Sequence, residues 1–180
     1  MATASPQRRW QAQCPHCGAP VEFASAASAS AVCSYCRSTL LREGDALRRI
    51  GTSAEVFEDY SPLQLGSAGR YAGAGFVVVG RLQMSYADGG WNEWHLLFDA
   101  SADQPPRSGW LAEDNGSFVI SFEAPLAELA PDPATLRPGG LQMLAGSAWQ
   151  VASLVDATVA AAQGGLPHPP RLASSYPVVD

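Results

Sequence analysis

The chain has 180 residues and a formal net charge of −6, with 11 arginines, no lysine and 17 acidic residues. This length suits one ordinary domain or two small ones, and no apolar run approaches the roughly 18 residues that span a bilayer. No apolar signal segment opens the chain and its cysteine pattern is typical of reduced thiols, so the sequence predicts a cytoplasmic protein without a membrane span.

The charge is unevenly distributed along the chain. Residues 1–50 contain six arginines and three acidic residues, a net charge of +3, whereas residues 51–180 contain five arginines and fourteen acidic residues, a net charge of −9. A segment with so large a negative charge repels phosphate backbones, and the basic excess near the N-terminus is small. The distribution therefore disfavours nucleic acid as a partner.

Two pairs of cysteines dominate the N-terminal part. Cys14-Pro-His-Cys17 and Cys33-Ser-Tyr-Cys36 contain all the cysteines of the chain, and fifteen residues separate the two pairs. Two C-x2-C turns at this distance are typical of a zinc ribbon, in which four thiolates hold one structural Zn²⁺ and no position remains for water. Two disulfides are the alternative. His16 is predicted to fill the first turn rather than to bind the metal.

The cysteine spacing also predicts where the domains begin and end. The ribbon is expected over residues 13–42, after a disordered N-terminus at residues 1–12. A segment this short cannot bury enough apolar surface to fold alone, so the metal must supply stability. Residues 43–59 are predicted to be a linker, and residues 60–180 a separate β domain.

The second part of the chain shows the alternation of apolar and polar residues that is typical of strands. Strands are predicted at residues 76–86, 91–99, 110–112 and 117–123, with one or two further strands or a short helix within 149–162. Trp94, Leu96 and Phe98 share the face predicted to point to the core, whereas Glu93 and His95 share the other. Short strands joined by tight turns predict an all-β fold, in which the zinc ribbon precedes a small β-barrel-like domain of SH3-like or sandwich type.

Motifs in both parts resemble a known family. They are Cys14–Phe23 with the second cysteine pair, Ser61–Gly66, Val79–Gln83, Trp91–Phe98 and Gly109–Asp114. They are similar to bacterial zinc-ribbon proteins that carry the domain of unknown function 4178. The resemblance implies a family without an established activity, whose genes often lie near homologues of polyamine-pathway enzymes and near small membrane proteins. It therefore implies an envelope-linked or polyamine-linked system, with a membrane-associated partner.

Candidate binding residues in the predicted β domain are Trp91, Glu93, His95, Trp110 and Glu113. Trp91 lies beside a Gly-Gly turn on the parity opposite to Trp94, so it is either packed or an exposed anchor for a partner. Glu93 and His95 are neighbours on one strand face, and with Glu113 they offer side chains used in acid–base catalysis. We expect their strand face to be solvated instead. The chain has no nucleophile elbow, HExxH sequence or Walker loop.

These features predict a non-enzymatic adaptor or binding module, with a structural zinc site, that assembles with other proteins. The alternative is a regulatory or ligand-binding subunit for a cationic small molecule such as a polyamine, which carboxylates and tryptophans would hold through ion pairs and cation–π contacts. Ribbon-mediated nucleic-acid binding comes third, because the basic patch is small and the rest of the chain is acidic.

Overall fold

A computed structural model describes residues 10–25, 28–100, 107–124 and 130–180. The described residues form an all-β fold, as the alternation predicts, with one 3-10 helix at Pro133–Thr135. The strands are β1 Trp10–Gln13, β2 Pro20–Phe23, β3 Ser30–Val32, β4 Ser38–Glu43, β5 Ala46–Thr52, β6 Ala68–Tyr71, β7 Ala74–Tyr86, β8 Gly89–Phe98, β9 Arg107–Asp114, β10 Ser117–Ser121, β11 Leu141–Leu144, β12 Ser147–Gln150, β13 Leu154–Leu166 and β14 Ser175–Val179. Within these ranges, no helix has the length and apolar character needed to cross a bilayer.

The N-terminal part is built from short antiparallel pairs around the cysteines. β1 pairs with β2, and β4 pairs with both β3 and β5. Trp10 packs edge-on against the buried ring of Phe23, with 5.1 Å between ring centroids. Residues 10–12 are therefore strand rather than disordered chain, and residues 46–52 are paired sheet rather than linker. Both predictions fail at these residues because neighbouring strands, β2 and β4, form hydrogen bonds with their backbone N–H and C=O groups.

One large sheet contains strands of the ribbon and of the β domain. Its order is β10-β9-β8-β7-β13-β3-β4-β5, with β6 also paired to β7 and β14 to β13. The 13-residue strand β13 joins the two parts of the sheet. β7 pairs along one of its edges, whereas β14 and β3 pair with the first and last residues of its other edge. Gly80 permits the close approach of β7, since an added Cβ would lie 2.2 Å from the carbonyl oxygen of Gly165.

The sheet is open rather than closed within the described part of the chain. Its end strands, β10 and β5, each pair with a single neighbour. A closed barrel requires the end strands to pair with each other. The barrel-like form predicted from the short strands is therefore not a closed barrel, because ribbon strands extend the sheet beyond β13.

Cross-strand partners define the two faces of this sheet. Arg81, Trp94 and Leu111 are direct partners on β7, β8 and β9, and they share what we call the strap face. Met84 and Trp91 are direct partners on the opposite face. The buried apolar cluster of the strap face is formed by Val78, Trp94, Leu96, Phe98 and Leu111. That of the opposite face is formed by Met84, Ala157 and Val159.

Residues 53–63, which we call the strap, run from β5 across the strap face. Ser53 begins it, and its hydroxyl accepts a 2.8 Å hydrogen bond from the backbone N–H of Ala162 on β13. Phe57 exchanges two 2.8 Å hydrogen bonds with the side-chain amide of Gln83. Leu63 then packs against the buried cluster of that face. The strap thus covers polar positions of β7 that the alternation alone would leave in water.

Candidate functional site

The turn between β1 and β2 and the turn between β3 and β4 bring the four cysteines together. Their Sγ atoms all lie within 4.8 Å of one another. Cys14 and Cys36 are 3.7 Å apart, and Cys17 and Cys33 are 3.8 Å apart. A tetrahedral metal with metal–sulfur bonds of about 2.3 Å separates its sulfurs by about 3.8 Å. The four thiols are free, and their arrangement fits one tetrahedral metal ion rather than two disulfides.

Matching backbone turns present the two pairs of sulfurs. The N–H of Gly18 donates to the carbonyl of Cys14, and the N–H of Arg37 donates to that of Cys33, each at 2.9 Å. Gly18 and Arg37 both adopt positive φ, at 75° and 58°. This conformation costs a non-glycine residue roughly 1–2 kcal/mol. Arg37 is held in it by the strap, because its carbonyl accepts from Ser53 N at 2.8 Å and its guanidinium contacts Glu55 at 3.0 Å.

The thiols of the cluster differ in their acidity. Hydrogen bonds with the hydroxyl and backbone of Ser38 lower the pKa of Cys36 to about 6, which favours the thiolate that a metal binds. A hydrogen bond with the backbone of Ala19 lowers the pKa of Cys17. Desolvation and hydrogen bonds with the neighbouring thiols outweigh it and raise that pKa to about 12. His16 is exposed, and the metal-ligand group contains the four cysteines without it.

A buried polar network lies under the strap, with Glu113 at its centre. The Oε2 atom of Glu113 accepts hydrogen bonds from Ser61 Oγ at 2.6 Å, Trp94 Nε1 at 2.8 Å and Asn92 Nδ2 at 3.3 Å. Glu113 is only 9% exposed. The structure therefore places this candidate binding residue inside the fold, where it ties the strap to the core.

Arg81 is the cation of the same network. Its guanidinium donates to Asn92 Oδ1 at 2.9 and 2.7 Å and to Asp59 Oδ2 at 2.5 Å, and it lies 4.6 Å from the centroid of the Trp94 ring. Partial burial raises the pKa of Asp59, but hydrogen bonds from Asn92 and Arg81 and the charge of Arg81 outweigh it and lower that pKa overall. Asp59 is therefore an ionised anchor of the strap at neutral pH.

The sequence patterns did not single out Asp59, Arg81 and Asn92 as site residues. One signal was present for Asn92, which shares the strand parity of Trp94 and so points to the same buried face. A polar residue on a core-facing parity requires a buried partner. The identity of that partner depends on the strap, whose path across the sheet is not visible in local alternation.

His95 is fully buried rather than solvated. Its Nδ1 donates to the carbonyl of Gly165 at 2.8 Å, so Nε2 accepts from the Ser108 hydroxyl at 3.0 Å. Burial lowers the pKa of His95, and the nearby His168 lowers it further, although the bond to Gly165 opposes this. The prediction of a solvated face is wrong here, because β13 supplies a hydrogen-bond partner across that face. Trp110 covers the imidazole, with ring centroids 5.2 Å apart.

Trp91 and Glu93 lie on the opposite face, beside a groove of about 580 Å³. The indole N–H of Trp91 donates to Glu93 Oε1 at 2.8 Å, and its ring packs against Tyr86 at a centroid distance of 5.7 Å. Burial raises the pKa of Glu93, and the charge of Asp180 adds to this, although the bond from Trp91 opposes it. Trp91 is half-buried, so it is both packed and available at the groove.

The groove is acidic. The carboxylates that line it belong to Glu93, Asp114 and Asp180, and its lining contains no arginine. Val119 of β10 forms part of its wall and is 61% exposed. Among the predicted binding residues, the structure therefore brings Trp91 and Glu93 together at one groove, while Glu113 and His95 are buried elsewhere.

Comparison with known proteins finds a match in the part of the chain that contains β6 to β12. Residues 64–152 match the family model described as Domain of unknown function (DUF4178). This match supports the resemblance drawn from the β-domain motifs. No curated protein and no solved structure matches the chain. The family description assigns no activity, so the function has to be inferred from the geometry.

Proposed function

We propose that the protein is a non-enzymatic adaptor, whose ribbon holds one structural Zn²⁺ and whose β domain binds a protein partner beside Trp91. The single observation that carries the binding role is the acidic groove of the opposite face. It combines a partly exposed tryptophan with carboxylates that have no arginine beside them in the lining. Aromatic anchors at a groove are typical of binding surfaces.

The chemistry of the ligands supports zinc as the metal. Four thiolates in tetrahedral arrangement are the usual structural Zn²⁺ site, and soft sulfur ligands disfavour magnesium and calcium. Because four protein ligands complete the tetrahedron, the site has no open position for a substrate. A zinc ion would hold the two cysteine turns together, and through Arg37 and Ser53 it would also hold the start of the strap.

The state of the acid–base candidates also supports binding rather than catalysis. Glu113 accepts three hydrogen bonds, both ring nitrogens of His95 are engaged, and Glu93 is bonded by Trp91. A general base needs reach to a substrate proton, and neighbouring side chains and backbone already engage the acceptors of Glu113 and His95. The proposed setting is the bacterial cytoplasm, with a partner that is envelope-linked or membrane-associated, as the resemblance implies.

Tagged protein and its variants test the adaptor role by capture of partners from the native host. Trp91→Ala should weaken capture roughly thirtyfold, because an interface tryptophan contributes about 2 kcal/mol. Trp149→Ala is the matched control, since Trp149 is 59% exposed on the separate β11–β12 pair. Metal analysis of the same preparation should find about one zinc per chain. Equal capture by the two variants would remove Trp91 from the binding surface.

A cationic small molecule is the second candidate ligand, and the acidic lining of the groove favours it. Glu93, Asp114 and Asp180 would each pair with an ammonium group, and the faces of Trp91 and Tyr86 would add cation–π contacts. Titration of the protein with a linear polyamine, followed by tryptophan fluorescence, tests this role. Saturable binding that Trp91→Ala abolishes, without capture of any protein, would favour the polyamine over the adaptor.

A further inference from the structure

β10 is an edge strand beside the acidic groove. In the described ranges, β9 is the one strand paired with it. Phe118 is 48% exposed and Val119 is 61% exposed, so apolar side chains of the edge meet water on both faces. An edge strand presents unpaired backbone groups that another chain can extend.

The turn before β10 determines which of its backbone groups point outwards. Asn115 and Gly116 form a two-residue turn with φ values of 46° and 80°. The residues that flank such a turn, Asp114 and Ser117, form a hydrogen-bonded pair, and the pairs then alternate along the ladder. Val119 therefore bonds with β9, whereas the backbone groups of Phe118 and Ile120 point away from it.

The two ends of the sheet differ in their protection against strand addition. β5, at the far end, carries the exposed arginines Arg48 and Arg49, which discourage pairing with another strand. β10 has the sequence SFVIS, which contains no charged residue, no proline and no glycine. The protein thus protects one edge with charge and leaves the other suited to pairing.

The groove specifies the charge of the strand that would pair there. Residues of an added strand alternate between the faces of the sheet. Those directly opposite Val119 would project over the groove that Glu93, Asp114 and Asp180 line. Those opposite Phe118 and Ile120 would lie on the strap face, beside the apolar side chains of these two residues.

We infer that β10 accepts an extended segment of a partner protein as an additional strand, with arginine or lysine at every second position facing the acidic groove. This inference rests on the proposed adaptor role and names the chemistry of its partner. A second copy of the chain fits the same edge less well. Pairing of β10 with β10 would bring two acidic grooves together on chains that each carry a net charge of −6.

The test uses a fluorescent nonapeptide of alternating arginine and valine, titrated into the full-length zinc-loaded protein. Phe118→Pro removes an outward N–H while sparing the bonds to β9, and Phe118→Ala is its control, because it removes the ring but keeps the N–H. Phe118→Pro should bind the peptide roughly tenfold more weakly than Phe118→Ala. Hydrogen exchange at the amides of Phe118 and Ile120 should slow when the peptide binds.

A second experiment changes the peptide rather than the protein, so it does not depend on folding of the proline variant. A version with N-methyl groups on the backbone amides that face β10 should lose binding, whereas the same groups on the outer amides should not. Equal binding of both methylated peptides would overturn strand addition, and so would equal binding by Phe118→Pro and Phe118→Ala. A glutamate-for-arginine peptide of equal affinity would overturn the role of the groove.

Two further outcomes separate this inference from the adaptor role. If the wild-type protein dimerises in light scattering and Phe118→Pro is monomeric, a second copy occupies the edge and the inference fails. If the alternating peptide does not bind while capture of the native partner still depends on Trp91, strand addition is wrong and the adaptor role stands. If the peptide binds through β10 while capture is insensitive to Trp91, the inference stands and the proposed anchor is wrong.

Discussion

Glu113→Ala should destabilise the fold by about 3 kcal/mol. The carboxylate accepts from Trp94 Nε1 and Asn92 Nδ2, and these two residues are only 1% and 4% exposed. A buried donor left without an acceptor costs about 1–3 kcal/mol. Asn92 keeps its 2.6 Å bond to Asp59. We therefore assign about 2 kcal/mol to the Trp94 N–H and about 1 kcal/mol to Asn92.

Thermal unfolding measures this loss directly. In a chain of this size, each kcal/mol lowers the melting temperature by about 2–4 °C, so Glu113→Ala should melt about 6–12 °C below the wild type. Tryptophan fluorescence and far-UV circular dichroism should report the same shift. The metal content must be the same in both samples, because a bound metal itself raises the melting temperature.

Glu113→Gln is the control that isolates the hydrogen-bond acceptor. Its amide oxygen still receives the Trp94 N–H, while the negative charge is lost. This variant should lose less than half of the stability that alanine loses. If glutamine and alanine lowered the melting temperature equally, the acceptor role would be refuted, and the charge of Glu113 would be the feature that matters.

Two further predictions follow from the shared sheet and from the groove. Cys33→Ser should lower the melting temperature of the whole chain in one transition, because β3 pairs with β13 of the β domain; a calorimetric trace with a separate, unchanged transition for the β domain would contradict this. Glu93→Gln should raise the melting temperature at pH 7, because the folded-state pKa of Glu93 is raised and its charged form is therefore less favourable in the fold. This gain should vanish below about pH 4, where Glu93 is protonated in folded and unfolded chains alike, and a gain that persists there would have another cause.

Local alternation predicted which residues share a strand face, but it did not predict what covers that face. Trp94, Leu96 and Phe98 are buried together, as expected from their parity. Glu93 and His95 also share a face as expected, yet His95 is fully buried. Its cover includes Gly165, which is 70 residues away in the chain. Periodicity reports the direction of a side chain, whereas burial depends on such distant partners.

The ribbon also shows which features local sequence patterns predict and which they miss. The cysteine spacing predicted that the four thiols lie close together, as they do, because the geometry of a C-x2-C turn is local. The linker prediction failed at residues 46–52, where Arg48 and Arg49 obscure the apolar pattern of an edge strand. Pairing of β3 with β13 spans more than 130 residues of sequence. No local pattern could show that the ribbon joins the sheet of the β domain.

The shared sheet gives the uneven charge of the chain a structural meaning. The guanidinium groups of Arg48 and Arg49 belong to β5 at one end of the sheet, whereas the carboxylates of Asp114 and Glu93 lie near the other end. Like charges repel at each end, so two copies cannot easily pair through the same edge. A zinc ion at the basic end would stabilise the strands there and the start of the strap. The acidic end, with an uncharged edge strand, is then the surface suited to a partner of opposite charge.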